Sequence, residues 1–184
     1  MNVALIGMRA AGKSNVSRRL SRLTKWPVLS TDLLISYDNG GHSVAEIVAR
    51  QQGDWHAFRE MEYQVVAKAA VLDGIIIDCG GGMVVDLDPA GNEILSERKI
   101  SALKQKGLVV WLKGDIPTLA ARVRGDAERP ALSDQLSAEE VMYRRLPFYE
   151  NAADLTLEID NKSRKEITQE LLERLIRKGF QFEP

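Results

Sequence analysis

Apolar residues in this chain gather in short continuous runs separated by stretches of helical periodicity, and that alternation predicts the architecture. The first run, Asn2-Val3-Ala4-Leu5-Ile6, is what a strand buried on both faces looks like. Over residues 15–24 the spacing becomes helical, with Val16, Leu20 and Leu23 on one face and arginines on the other. Residues 28–30 form a short second strand, Thr31-Asp32 open a helix, and Gly40-Gly41 break it. Ser43 and Glu46 make a capping box for the next helix, and Gly53 stops it. A longer helix spans about residues 54–72, and Ile75-Ile76-Ile77-Asp78-Cys79 is the strand with the most buried character. Next come a helix over about 94–106, a strand over 108–112 and a helix opened by Pro117 that ends near Arg124. Ser137 with Glu140 caps a helix running toward Tyr149, residues 155–159 form the last strand, and Ser163 with Glu166 caps the C-terminal helix. Strands alternating with helices predict the α/β class, a doubly wound five-stranded parallel sheet with helices on both faces. Between Gly125 and Leu136 apolar periodicity stops and charges, Pro130 and Ser dominate, as expected of a mobile lid over about 124–137.

At 184 residues, with no repeat and no Gly-, Pro- or Ser-rich linker, the expectation is one domain over 1–184 with a substantial core. Acidic and basic residues nearly balance, 26 against 25, so no global field recruits nucleic acid or a membrane surface. No apolar run approaches the ~20 residues of a membrane span. The chain enters its first strand at once, so no signal peptide is expected. The single cysteine, Cys79, excludes an intramolecular disulfide and a multi-cysteine metal site. These features lead to the expectation of a cytoplasmic enzyme, monomeric, acting on small molecules.

The chemistry starts at Gly7-Met8-Arg9-Ala10-Ala11-Gly12-Lys13-Ser14, which matches the G-x-x-x-x-G-K-[ST] phosphate-binding loop between a strand and a helix. Such a loop turns backbone N–H groups toward phosphate oxygens, and the following helix adds its positive end. The nucleotide site is therefore expected at Gly7, Ala10, Ala11, Gly12, Lys13, Ser14 and Asn15. Lys13 reaches the β- and γ-phosphates there, and the Ser14 hydroxyl ligates Mg²⁺. A GTPase would carry Asn-Lys-x-Asp for guanine; Asn161-Lys162-Ser163-Arg164 has Arg164 in the aspartate's place and falls in a helix-capping turn, which rejects that reading.

Four further sites carry chemistry. Asp32 follows the second strand, near the crevice where open α/β sheets bind ligands, although an N-cap role accounts for it equally well. Arg59 has Glu62 three residues on, a spacing that orients a guanidinium or makes a surface ion pair. Gly80-Gly81-Gly82 follows a buried strand end, one glycine more than a tight turn needs. Arg129-Pro130 lies in the lid segment, and Arg145 precedes Leu146-Pro147-Phe148-Tyr149. His42 and His56 lack partners at ligand spacing, and Trp55 with Phe58 suits either core or pocket wall.

In this order and at this spacing, the phosphate loop, Thr31-Asp32, Phe58-Arg59-x-x-Glu62, the triple glycine, Arg129-Pro130 and Arg145 resemble shikimate kinase over nearly the whole chain. The resemblance implies a nucleoside-monophosphate-kinase-like fold that binds shikimate in a region spanning about residues 31–62. The activity it implies is ATP-dependent, Mg²⁺-requiring phosphorylation of the 3-hydroxyl of shikimate. By the same resemblance Asp32 holds ring hydroxyls and takes the proton of the attacking one. Arg59 and Arg145 grip the carboxylate, Gly80, Gly81 and Gly82 line the pocket, Arg129 closes on the transferring phosphate, and Arg122 stacks on adenine. One position departs: the family usually has Asp-Thr-Asp where this chain has Ser30-Thr31-Asp32, so the first aspartate, which helps hold magnesium, is absent. Asp78, ending the Ile-Ile-Ile strand, either takes over that metal role or caps the glycine turn. Two alternatives remain: a sister kinase for another polyhydroxy acid, and a nucleotide-binding relative without catalysis.

Overall fold

The computed structural model describes residues 1–123 and 136–182. Strand β1 (Asn2–Ile6) runs into the phosphate loop and helix α1 (Lys13–Thr24), followed by β2 (Val28–Ser30) and α2 (Thr31–Asp38). Helices α3 (Val44–Arg50) and α4 (Trp55–Ala70) precede β3 (Ile76–Asp78). Strands β4 (Val85–Leu87) and β5 (Glu93–Leu95) lead into α5 (Glu97–Lys106) and β6 (Gly107–Lys113). The described chain finishes with α6 (Ile116–Val123), α7 (Ala138–Ala152), β7 (Leu155–Glu158) and α8 (Arg164–Arg177).

Five strands form the main sheet in the order β2-β3-β1-β6-β7, every neighbouring pair parallel. β1 and β3 are buried at every position while β2 is half-buried throughout, as central and edge strands of a doubly covered sheet should be. Apolar side chains at such positions, Leu5, Ile6, Ile76 and Ile77 among them, contribute about 1.5–3 kcal/mol each through burial. Three helices start as their sequences dictate: Ser43, Ser137 and Ser163 each accept from the backbone N–H three residues on, and the glutamate there reaches back.

A second, smaller apolar cluster lies apart from the main core. Ile35, Ile47, Val48, Phe58 and Val65 form it, with Trp55 packed against it, and it ties α2, α3 and α4 into a unit beside the sheet's C-terminal edge. No helix among the described residues is long and apolar enough to cross a membrane.

Two expectations are corrected. Leu23 is exposed, and Ser17 and Thr24 share the inner face of α1 with Val16 and Leu20. Thr24 can be buried there because its hydroxyl donates to the Leu20 carbonyl. The helix expected from residue 94 starts only at Glu97; Ile94 instead belongs to β5, antiparallel to β4. Between these strands the Asp88 carboxylate accepts from the backbone N–H groups of Ala90 and Asn92, and Gly91 adopts φ +84°. The sequence signal for this hairpin was Val84-Val85 and Ile94-Leu95 flanking Asp88-Pro89-Ala90-Gly91-Asn92.

Candidate active site

The parallel register brings the C-terminal ends of three strands together, with Asp78 of β3 opposite both Leu5 of β1 and Ser30 of β2. The phosphate loop leaves the middle of this edge. Gly12 is the N-cap of α1 in the left-handed region and supplies no side-chain cap, so the first-turn N–H groups stay available to an anion. Ala10 is also left-handed, at φ +63°. The Lys13 ammonium folds back over the loop and donates to the carbonyls of Gly7 at 2.8 Å and Met8 at 3.2 Å. Ser14 and Asn15 are exposed on the first turn, and Asn15 accepts from Arg18.

Beside the loop, a cavity of about 670 Å³ is lined by Asp115, Thr118 and Arg122 of the α6 segment and by residues 159–164. Arg164 was not expected here. Its guanidinium lies against Gly12, where a Cβ would come within 2.6 Å of Cζ. Burial and the neighbouring Arg122 charge lower the Arg164 pKa. Neither arginine forms an ion pair among the described residues. Two uncompensated guanidiniums beside a phosphate loop suit an anionic, planar ligand.

The other end of the site is built on the triple glycine. None of the three has a positive φ, so backbone strain does not explain them. Close approach does. A Cβ on Gly80 would lie 2.3 Å from Asp32 Oδ1, and one on Gly82 would lie 2.3 Å from Arg59 Nη1. On Gly81 it would meet only Arg9, at 3.4 Å. Tyr149, fully buried, donates its hydroxyl to the Gly81 carbonyl at 2.5 Å. Thr31 Oγ1 accepts from the Gly80 N–H at 2.9 Å. Ser30 rather than Asp32 is the N-cap of α2, so the alternative reading of Asp32 falls to its neighbour.

Arg59 is 6% exposed, which excludes the surface ion pair. Nη1 donates to Glu62 at 2.8 Å, and Nε is buried with no hydrogen-bond partner among the described residues. Trp55 and Phe58 lie under the guanidinium, at 5.4 and 5.9 Å from its Cζ to the ring centroids. Lys99, wholly buried and not anticipated, donates to the same Glu62 oxygen at 2.9 Å and to the Val85 carbonyl. Burial pushes the Glu62 carboxyl up, and the Arg59 and Lys99 charges more than reverse that, leaving it below the ordinary value. Burial pulls Lys99 down despite Glu62. Arg145, 5% exposed, pairs through Nε and Nη2 with Glu93, also unanticipated. Burial works against the Arg145 charge, but Glu93 wins and raises its pKa. Neither partner was legible because each pair joins distant stretches, 62 with 99 and 93 with 145.

For a metal, Asp78 and the Ser14 hydroxyl are hard oxygen donors at the nucleotide end, the kind Mg²⁺ takes sparingly beside phosphate and water. Asp78 is 6% exposed as a residue, and its carboxylate accepts no hydrogen bond among the described residues. The glycine turn is capped instead by Thr31, which leaves Asp78 without the capping role. His42 and His56 sit at the surface beside Glu46 and the Asp88 carbonyl. Arg129 and most of the expected lid lie outside the described residues.

A family model described as shikimate kinase matches residues 9–176. The chain is 43% identical over 173 residues to a shikimate kinase of Leptospira biflexa, covering 94% of each chain. It is 41% identical to one of Leptospira borgpetersenii, covering 95% and 97%. Among solved structures, shikimate kinase from Aquifex aeolicus matches with TM-score 0.78 at 25% identity, covering 98% of this chain and 99% of that one. Shikimate kinase from Acinetobacter baumannii in complex with shikimate matches with TM-score 0.80 at 23% identity, covering 98% and 95%. With a family match across most of its length and relatives above 40% identity, this chain belongs to the shikimate kinase family.

Proposed function

We propose that the protein transfers the γ-phosphoryl group of ATP to the 3-hydroxyl of shikimate, releasing ADP, shikimate 3-phosphate and a proton. The observation that carries this reading is the buried Nε of Arg59, without a hydrogen-bond partner among the described residues, on a guanidinium packed against the triple glycine that also seats Asp32; the Arg59 and Arg145 charges both act on Tyr149 there. A buried donor without an acceptor is costly unless a ligand supplies one, and a carboxylate flanked by two guanidiniums does so.

In this reading the Asp32 carboxylate orients the attacking hydroxyl and accepts its proton as transfer proceeds. The N–H groups of the loop and α1 hold the phosphates, Lys13 exchanges its carbonyl partners for the β- and γ-oxygens, and Arg129 neutralises charge on the transferring phosphate. Adenine lies in the cavity between Arg122 and Arg164. Mg²⁺, when bound, neutralises charge on the β- and γ-phosphates, and Ser14 and Asp78 would hold it. Asp78 takes this role because it stands opposite Ser30, where the family's aspartate is missing.

The test is a coupled ADP-release assay with ATP, Mg²⁺ and shikimate, run beside quinate and gluconate. Release is expected with shikimate alone. Asp78→Asn should fold normally and lose turnover in a manner that raised Mg²⁺ partly restores. Equal release with quinate or gluconate contradicts the acceptor, and an unchanged Mg²⁺ requirement in Asp78→Asn contradicts the metal role.

A further inference from the structure

Each arginine of the acceptor pocket has its own glutamate, Glu62 buried and Glu93 half-buried, and the two arrangements differ. Glu62 comes from one turn along α4, and its charge is shared between Arg59 and Lys99. Glu93 is delivered by β5, from a hairpin fixed at several points. Arg98 bridges Asp86 of β4 to Glu60 of α4, Ser96 donates to Asp86 at 2.7 Å, and His56 sits 2.9 Å from the Asp88 carbonyl. The carboxylate so placed occupies the Nε–Nη2 edge of Arg145. Nη1 makes no hydrogen bond among the described residues, so one edge of the guanidinium is held and the other is left for a ligand.

The charges around this pocket are closely balanced. Among the side chains that are at most 9% exposed, Arg59, Lys99 and Arg145 are cations and Glu62 and Glu93 are anions. These five leave one positive charge over, and Asp32, seated against Gly80, and Asp86, 3.7 Å from Lys99, offset it. Arg144 also touches Glu93, but its side chain is 43% exposed and water screens it. Without Glu93 the pocket would carry one more positive charge and would admit a second carboxylate more readily.

We propose that Glu93 is the specificity-determining residue of the acid pocket: by holding one edge of Arg145 and cancelling one buried charge, it matches the site to a ligand bearing a single carboxylate. This rests on the acid-binding reading of the Arg59–Arg145 pocket. Glu93 acts through Arg145 and is a positioning residue.

The experiment is equilibrium binding of shikimate and of cyclohexene-1,2-dicarboxylate to the wild type, Glu93→Gln and Glu93→Asp. The wild type should prefer shikimate strongly. Glu93→Gln should shrink that preference by about tenfold, chiefly by admitting the dicarboxylate, because a buried unit charge acts at short range with little screening. Glu93→Asp keeps the charge and should keep the preference even where both ligands bind more weakly. If both affinities change by the same factor in Glu93→Gln, in either direction, Glu93 is only structural or only a competitor for Arg145, and the proposal is wrong. Loss of the preference in Glu93→Asp overturns it too, since charge would not be the cause. Failure of the wild type to bind shikimate would instead sink the acid-binding reading itself.

Discussion

At the scale of single residues, the triple glycine is a row of clearances for charged side chains. The backbone of Gly80 makes room for Asp32, and that of Gly82 for Arg59, each with only 2.3 Å between the charged atom and the place of a Cβ. Gly81 has ordinary space around that position. Alanine substitution should therefore cost unequally. Gly80→Ala and Gly82→Ala displace Asp32 and Arg59 by about an ångström and should each lower kcat/KM by roughly a hundredfold, with folding intact. Gly81→Ala should stay within about threefold, since a contact of this kind perturbs little beyond its neighbour. Steady-state kinetics beside thermal melts checks the ranking, and equal losses at all three positions would reject it. The run was visible in the sequence as one glycine too many for a turn; which side chains it admits was not, because Asp32 and Arg59 come from other elements.

At the scale of elements, capping boxes and periodicity located the helices well because those signals are local. Ser43, Ser137 and Ser163 cap as their sequences require. The β4–β5 hairpin escaped because its strands are three residues long, too short for alternation to stand out. That hairpin carries the unanticipated half of the site: Val85 of β4 receives Lys99, and Glu93 of β5 receives Arg145. Arg59 and Arg145 were legible as candidates from sequence, whereas their counter-charges depend on tertiary packing. Lys99 ties α5 to α4 through Glu62 and to β4 through a carbonyl. Lys99→Met should destabilise the fold by about 2 kcal/mol, because it leaves the buried Glu62 charge with one partner and a carbonyl with none. Urea unfolding reads this as a lower midpoint. A Lys99→Met, Glu62→Gln double variant should recover part of the loss; a double variant no better than the single one contradicts the coupling.

At the scale of the whole molecule, one parallel sheet edge organises both halves of the chemistry. β1 delivers the phosphate loop, β2 leads into Asp32, and β3 ends in Asp78 and the glycines, so nucleotide and acceptor ends share a wall. The smaller cluster of α2, α3 and α4 holds Arg59 over that wall, and α7 brings Arg145 and Tyr149 from the far side of the chain. That the strands form one doubly covered parallel sheet follows from the continuous apolar runs and so was readable before any coordinates, whereas strand order and register depend on tertiary packing and were not. In the proposed reading, the arrangement directs the phosphoryl group to one ring hydroxyl of an acid held by two arginines. The most direct measurement is phosphorus–proton correlation NMR on the product formed from ATP, Mg²⁺ and shikimate. A single phosphate ester coupled to the ring proton at carbon 3, formed in step with ADP, is the predicted result; inorganic phosphate alone, or an ester on another hydroxyl, would contradict it.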